Sequence, residues 1–291
     1  MGSEPSKQKS RGTEIVNYRH IFHAGNICDV VKHAVLTLLL EHLRSKDGAF
    51  CILDTHAGVG LYDLQDPRAA KTNEAQGGIY KLLAASPLPA LEYYYAVLQK
   101  LNPGAFRYYP GSPLLAYNLL RSQDRLIACE LHDEDYRELR RQFRDHKQAH
   151  IHHRDGYEAL RAFLPPEEKR GLVLIDPPYE QPDEFENLVE AIKQTHQRWP
   201  HGQCLIWYPI KERPAIWRFH EALAATGIPK QLCAEFVFEE ETRHDRLNGS
   251  GLILINPPWQ MEDKIKQVFD ALHQALQTNH HGTNLQWLTP T

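Results

Sequence analysis

Apolar positions along this chain come in short blocks separated by longer amphipathic stretches. The blocks predict strands at 50–54, 125–131, 150–154, 172–175, 204–208, 231–238 and 252–255. Leu172, Val173, Leu174 and Ile175 show no polar alternation, which marks a strand covered on both faces. Helical spacing fills most of the gaps. Residues 26–46 repeat Val30, Val31, Ala34, Val35, Leu38 and Leu39 with helical period, and Gly48 follows as a stop signal. Residues 133–146 do the same with Tyr136, Leu139 and Phe143, and Ser112-Pro113 predicts a helix start with Ser112 as N-cap. Strands alternating with helices imply an α/β fold with a doubly wound, mainly parallel sheet of seven strands. Residues 239–251 are too few and too polar for a crossover helix, so the last two strands are expected to pair as an antiparallel hairpin.

Two stretches break the rhythm. Residues 62–107 hold Ala- and Leu-rich helical pieces such as 90–101, with Pro67, Pro87, Pro89 and Pro103 between them, and read as a small helical insertion. Residues 1–14 lack periodicity and read as a disordered tail or an expression remnant, leaving one domain over 15–291. Composition narrows the class. With 42% hydrophobic and 24% charged residues, 291 residues can bury a sizeable core. Mean hydropathy is -0.52 and no apolar run has membrane length. Five cysteines stand singly and no secretory signal is visible, so reduced thiols and a cytoplasmic location are expected. A net charge of -4 excludes a general polycation; any nucleic-acid surface must be local.

The most informative chemistry is Asp176-Pro177-Pro178-Tyr179 at the end of the 172–175 strand. Two prolines cannot continue a ladder, so a carboxylate, a rigid turn and an aromatic ring are fixed together at a strand tip. Such a tip suits a planar ring bearing an exocyclic amine. The ring would stack on Tyr179, while Asp176 and the Pro177 carbonyl accept the amine hydrogens. Ligands bind beyond the carboxyl ends of parallel strands. After the first strand, Asp54-Thr55-His56-Ala57-Gly58-Val59-Gly60 lacks the third glycine of a nicotinamide fingerprint, because Leu61-Tyr62-Asp63 follows.

These motifs resemble the cofactor and catalytic motifs of class I methyltransferases. A more specific resemblance is to the RlmJ-type 23S ribosomal RNA adenine-N6 methyltransferases. It is carried by Tyr18-Arg19-His20-x-Phe22-His23-Ala24-Gly25-Asn26 with Asp29-Val30-Val31-Lys32-His33, by residues 53–58 and 107–113, by residues 171–180, by Trp207-Tyr208-Pro209 and by residues 251–259. The resemblance implies S-adenosyl-L-methionine as cofactor and 23S ribosomal RNA as partner, with no metal, no membrane and a monomer. Glu130 would then bind the ribose hydroxyls, and Asp155, with Gly156 turning the chain away, the cofactor's adenine amine. His33, His56, Gly58 and Ser112 are implied cofactor contacts, as is Asp176. Tyr18, His20 and Lys32 are implied near the acceptor base, where Lys32 could meet a phosphate.

Other features are weighed against plainer readings. Asn256-Pro257-Pro258-Trp259 repeats the catalytic pattern, but the last strand of an antiparallel hairpin ends at the opposite rim. Arg243, His244, Arg246 and Asn248, with Lys211 and Arg213, are candidate RNA-backbone contacts. Arg137, Arg140, Arg141 and Arg144 are interleaved with acids and read as a solvated face. His150, His152 and His153 lack a completing ligand for zinc. The expected activity is transfer of a methyl group to N6 of adenine in 23S ribosomal RNA. A DNA adenine methyltransferase and a catalytically silent RNA-binding factor are the alternatives.

Overall fold

The computed structural model describes residues 19–241 and 246–289. Tyr18, Arg243, His244 and the tail at 1–14 lie outside these residues. The strands are β1 (Cys51–Asp54), β2 (Leu61–Asp63), β3 (Tyr108–Pro110), β4 (Arg125–Glu130), β5 (Ala149–His153), β6 (Gly171–Ile175), β7 (Gln203–Ile210), β8 (Gln231–Val237), β9 (Gly249–Ile255) and β10 (Gly282–Trp287). The helices are α1 (Ile27–Arg44), α2 (Pro67–Thr72), α3 (Ile79–Ala84), α4 (Glu92–Leu101), α5 (Ser112–Asn118), α6 (Asp133–Gln142), α7 (Gly156–Phe163), α8 (Glu184–Arg198), α9 (Arg213–Ala225) and α10 (Met261–Leu276).

The main sheet runs β10-β8-β9-β7-β6-β1-β4-β5. From β5 to β7 all neighbours are parallel, whereas β9 is antiparallel to both β7 and β8. The order is Rossmann-like, and every residue of β6 is buried, as a central strand with helices on both faces requires. One apolar layer joins α1, α5 and α10 to the sheet, and the other joins α7, α8 and α9. β1, β4 and β6 therefore sit in a dry frame that fixes their carboxyl ends.

Among the described residues the sheet has eight strands rather than seven. The extra one, β10, pairs antiparallel with β8 at the sheet edge. Its residues are intermediate or exposed throughout, so it never needed the apolar run by which the other strands are read. Between the short antiparallel β2–β3 pair lie α2, α3 and α4. α4 packs on α1, and α3 on α10. All five cysteines are buried and free. No helix among the described residues is long and apolar enough to cross a membrane.

Candidate active site

The tips of β6, β1, β4 and β5 each deliver one acid to the same rim. These are Asp176, Asp54, Glu130 and Asp155, at or just beyond the last residues of neighbouring strands. Three strand spacings separate the first from the last, about 14 Å.

At the β6 tip, Asp176 Oδ2 forms an ion pair with Lys32 Nζ of α1. Lys32 is 4% exposed and also donates to Asp29 Oδ1 at 3.0 Å. Asp29 Oδ2 lies 2.8 Å from His20 Nε2 and accepts the Gly25 N–H at 2.9 Å. A continuous polar chain thus runs His20–Asp29–Lys32–Asp176. Burial works against the Lys32 ammonium, but Asp176 and Asp29 outweigh it and raise its pKa. Burial likewise opposes the Asp29 charge, yet His20 and Lys32 hold its carboxyl well below the usual range. Lys32 therefore does not reach for phosphate. Its head is enclosed beside the acceptor carboxylate, because a buried ammonium needs the two acids more than solvent. Asp176 Oδ1 and the Pro177 carbonyl take no hydrogen bond among the described residues.

Tyr179 stands in the left-handed region at φ 54. A tyrosine there costs about 1–3 kcal/mol and persists only where its surroundings hold it. Its hydroxyl donates to the Trp207 carbonyl at 2.7 Å, and its ring packs on Phe185 and Trp207. Burial pushes that hydroxyl well above its ordinary pKa, so it stays a donor.

At the β1 tip, Asp54 is 1% exposed, and burial raises its carboxyl to about 7. Its oxygens accept from Ser112 Oγ at 2.6 Å and from the His56 N–H at 3.3 Å. Ser112 is consequently not the N-cap of its helix. It is the first helical residue, Gly111 holds the cap position without a side-chain bond, and the hydroxyl is spent on Asp54. His56 bonds Thr55 Oγ1 at 2.8 Å, and burial lowers its pKa. His33 is 1% exposed, stacks on Tyr109 and bonds its hydroxyl at 2.8 Å. Burial lowers the His33 pKa to about 3, so the ring is neutral.

Gly58, at φ +61, donates its N–H to Glu130 Oε2 at 2.8 Å, and the His132 N–H meets Oε1 at 2.7 Å. A side chain at Gly58 would put its Cβ 2.3 Å from the Tyr62 hydroxyl. Burial raises the Glu130 pKa, opposed by these backbone donors. Asp155 Oδ1 caps α7 by accepting from the Tyr157 and Glu158 N–H groups, both at 2.9 Å. Gly156 serves close packing: a Cβ would lie 2.6 Å from the Thr55 carbonyl and 2.8 Å from the His56 ring. Of the implied cofactor residues, His56, Gly58, Glu130 and Asp155 keep partial exposure, while His33, Ser112 and Gly156 are buried.

The other expected contacts divide. His20 joins the rim through Asp29. Arg246 and Lys211 are exposed. Arg213 is not available to phosphate, because its guanidinium pairs with Glu235 at 2.7 Å and with Glu241. Asn248 is buried. Asn256 lies at the opposite rim, where Nδ2 donates to the Pro200 and Gly202 carbonyls at 2.9 Å each. In the sequence, Asp29 stands out only as part of the motif that carries the resemblance. The missed signal is its three-residue spacing from Lys32 on a helix whose other neighbours are apolar.

Comparison with known proteins gives concordant results. A family model described as ribosomal RNA large subunit methyltransferase D, RlmJ, matches residues 47–289. Ribosomal RNA large subunit methyltransferase J of Haemophilus influenzae is 42% identical over 280 residues, covering 95% of this chain and 100% of the relative. The protein of that name from Escherichia coli is 42% identical over 279 residues, with 95% and 100% coverage. A Legionella pneumophila crystal structure superposes with TM-score 0.84 at 36% identity, over 91% of this chain and 98% of that one.

Proposed function

The chain belongs to the RlmJ family of ribosomal RNA large subunit methyltransferases, and on that premise we propose that it methylates N6 of an adenine in 23S ribosomal RNA, using S-adenosyl-L-methionine. The observation that carries the chemical part is the pair of unengaged acceptors, Asp176 Oδ1 and the Pro177 carbonyl, at the tip of β6. An aromatic amine has two hydrogens to place and a lone pair delocalised into its ring. Two fixed acceptors take both hydrogens and localise the lone pair on the nitrogen, toward the methyl group. Lys32 holds one oxygen of Asp176 in place, which leaves the other to accept a hydrogen from the amine. The amine attacks with both hydrogens held; once the N–C bond has formed and the methyl's bond to sulfur has broken, the surplus proton would pass to Asp176. Alignment of this kind contributes roughly 7–11 kcal/mol in well-oriented reactions.

The donor set at the neighbouring tips fits the cofactor. Glu130, held by one backbone N–H at each oxygen, keeps lone pairs for ribose hydroxyls. Asp155 keeps Oδ2 for the adenine amine, since Oδ1 serves the helix cap. Gly58 allows the loop a close approach, and His56 lines it. Ser112 and His33 act from behind, by fixing Asp54 and by filling the wall beside Tyr109. The bound cofactor supplies a methyl group activated on a sulfonium. The target base must be unstacked to enter, as for other base-modifying enzymes.

The test is incubation with isotope-labelled cofactor and either naked 23S RNA or duplex DNA, followed by nucleoside mass analysis. Label in N6-methyladenosine from the RNA is the expected result. Label confined to DNA, or at another atom, would overturn the proposal.

A further inference from the structure

The sheet edge beyond β5 holds a feature that methyl transfer itself does not use. α6 and β5 enclose a groove of about 530 Å³ lined by Arg137, Arg140, Arg141 and Arg144 over the rings of Tyr136 and Phe143, with no acid in its wall. The interleaved acids of α6 engage only two of these four guanidinium groups. Asp133 and Glu138 pair on the exposed helix surface with Arg137 and Arg141. Arg140 and Arg144 are exposed and make no ion pair among the described residues. The floor is ordered: Tyr136 stacks on His153 of β5 at 4.7 Å, and Phe143 meets His146 edge-on at 5.2 Å.

We propose that this groove binds the phosphodiester backbone of the substrate RNA a few nucleotides from the target adenine. The inference rests on the functional reading above and adds a place on the surface to it. Charge favours this occupant: a chain of net charge -4 has gathered four guanidinium groups here, two of them without an ion pair among the described residues. Guanidinium forks match phosphate oxygens, and weak exposed helix ion pairs exchange readily for them. Position favours it too. His153 is in register with Glu130, so the Tyr136 end of the groove opens at the rim that carries Asp176. β5 lies three strands from β6, about 14 Å away. Such contacts position RNA without reading its bases.

The experiment compares wild type with the double variant Arg140→Glu/Arg144→Glu, and with Arg140→Ala/Arg144→Ala as a milder pair. Three quantities are read: 23S RNA binding across a salt series, KM and kcat for methylation of that RNA, and cofactor affinity as the check on folding. The charge-reversed variant is expected to raise KM at least tenfold. The alanine pair should lower the salt slope of log K by about 1.4–1.8. In both, kcat at saturating RNA and cofactor affinity should stay at wild-type values. Binding, salt slope and KM equal to wild type in a protein that methylates 23S RNA would overturn the groove alone, as would a fall in kcat at unchanged KM. A wild-type protein that binds 23S RNA with this arginine dependence but transfers no methyl group would overturn the functional reading and leave the groove standing.

Discussion

Asp176-Pro177-Pro178-Tyr179 and Asn256-Pro257-Pro258-Trp259 are near copies in sequence, and each ends a fully buried strand. In both, one residue takes the left-handed conformation, Tyr179 at φ 54 and Asn256 at φ 52. They differ in everything their side chains do. Asp176 is held by one oxygen and open at the other, beside a buried lysine. The Asn256 amide is used up on two backbone carbonyls. Tyr179 is half-buried and pinned through its hydroxyl, whereas Trp259 is 88% exposed. Strand direction is the cause. β6 runs with its neighbours and β9 against them, so the same motif points once at the rim shared with Asp54, Glu130 and Asp155 and once away from it. A strand–turn motif predicts chemistry only together with the topology that aims it.

The strongest way to probe this contrast is to remove what makes the β6 tip different. Lys32→Met leaves Asp29 and Asp176 facing each other without their ammonium. Breaking a buried pair in this way costs about 3–5 kcal/mol. A large drop in the denaturation midpoint is expected, with part of it regained in Lys32→Met/Asp29→Asn, where one of the stranded charges is gone. A midpoint equal to wild type in Lys32→Met would mean that the ion-paired chain contributes nothing. Next in size is catalysis. Asp176→Ala should lower kcat by about 10²–10³-fold or more, the usual effect of losing one aligned hydrogen-bonding group, and should leave cofactor affinity nearly intact. Asn256→Ala should lose about 0.5–1.5 kcal/mol of stability, since the Pro200 and Gly202 carbonyls lose their donor, and keep kcat. Exchange of these two outcomes would reverse the assignment of the rims.

Strand direction was legible because of a length and a composition. Residues 239–251 cannot form a crossover helix, and that alone puts Asn256 at the opposite rim from Asp176. The strand tips were legible because each acid follows an apolar run. Partners of the side chains were not. Ser112 reads as a cap from its local sequence, yet its hydroxyl bonds an acid 58 residues away. Lys32 reads as a surface cation because nothing local says that almost all of α1 is buried, itself included. β10 is invisible to apolar patterning, since a half-exposed edge strand can be polar on both faces. Pairings set by tertiary contact leave little trace in a residue's own neighbourhood.

Titration separates the two rims more gently. Asn256 is neutral at every pH, whereas Asp54 at the β1 tip, next to β6, is raised by burial from its ordinary 3.8 to about 7. Between those values the unfolded chain has released this proton and the folded protein retains it. Stability therefore falls as pH rises through the window, by at most ~1.4 kcal/mol per pH unit, and levels off above 7. Asp54→Asn removes the slope. Denaturation midpoints of the cofactor-free variant, followed from pH 4 to 7, should rise relative to wild type as the pH increases. A constant difference between the two proteins would show that Asp54 is ionised in the fold.

The smallest effects belong to the two aromatic residues, and they test whether the far rim is silent. Tyr179→Phe keeps the ring and loses the bond to the Trp207 carbonyl, a change worth about 0.5–1.5 kcal/mol. Because that bond is what pins a left-handed residue beside the acceptor carboxylate, its loss should appear first as a raised KM for RNA, with a modest fall in kcat. Trp259→Ala removes a ring that meets mostly solvent, so stability should move by no more than about 0.5 kcal/mol, and KM and kcat should not move. If Trp259→Ala instead weakened RNA turnover as much as Tyr179→Phe, substrate would have to touch both ends of the sheet, and strand direction could no longer be what separates the working motif from its copy.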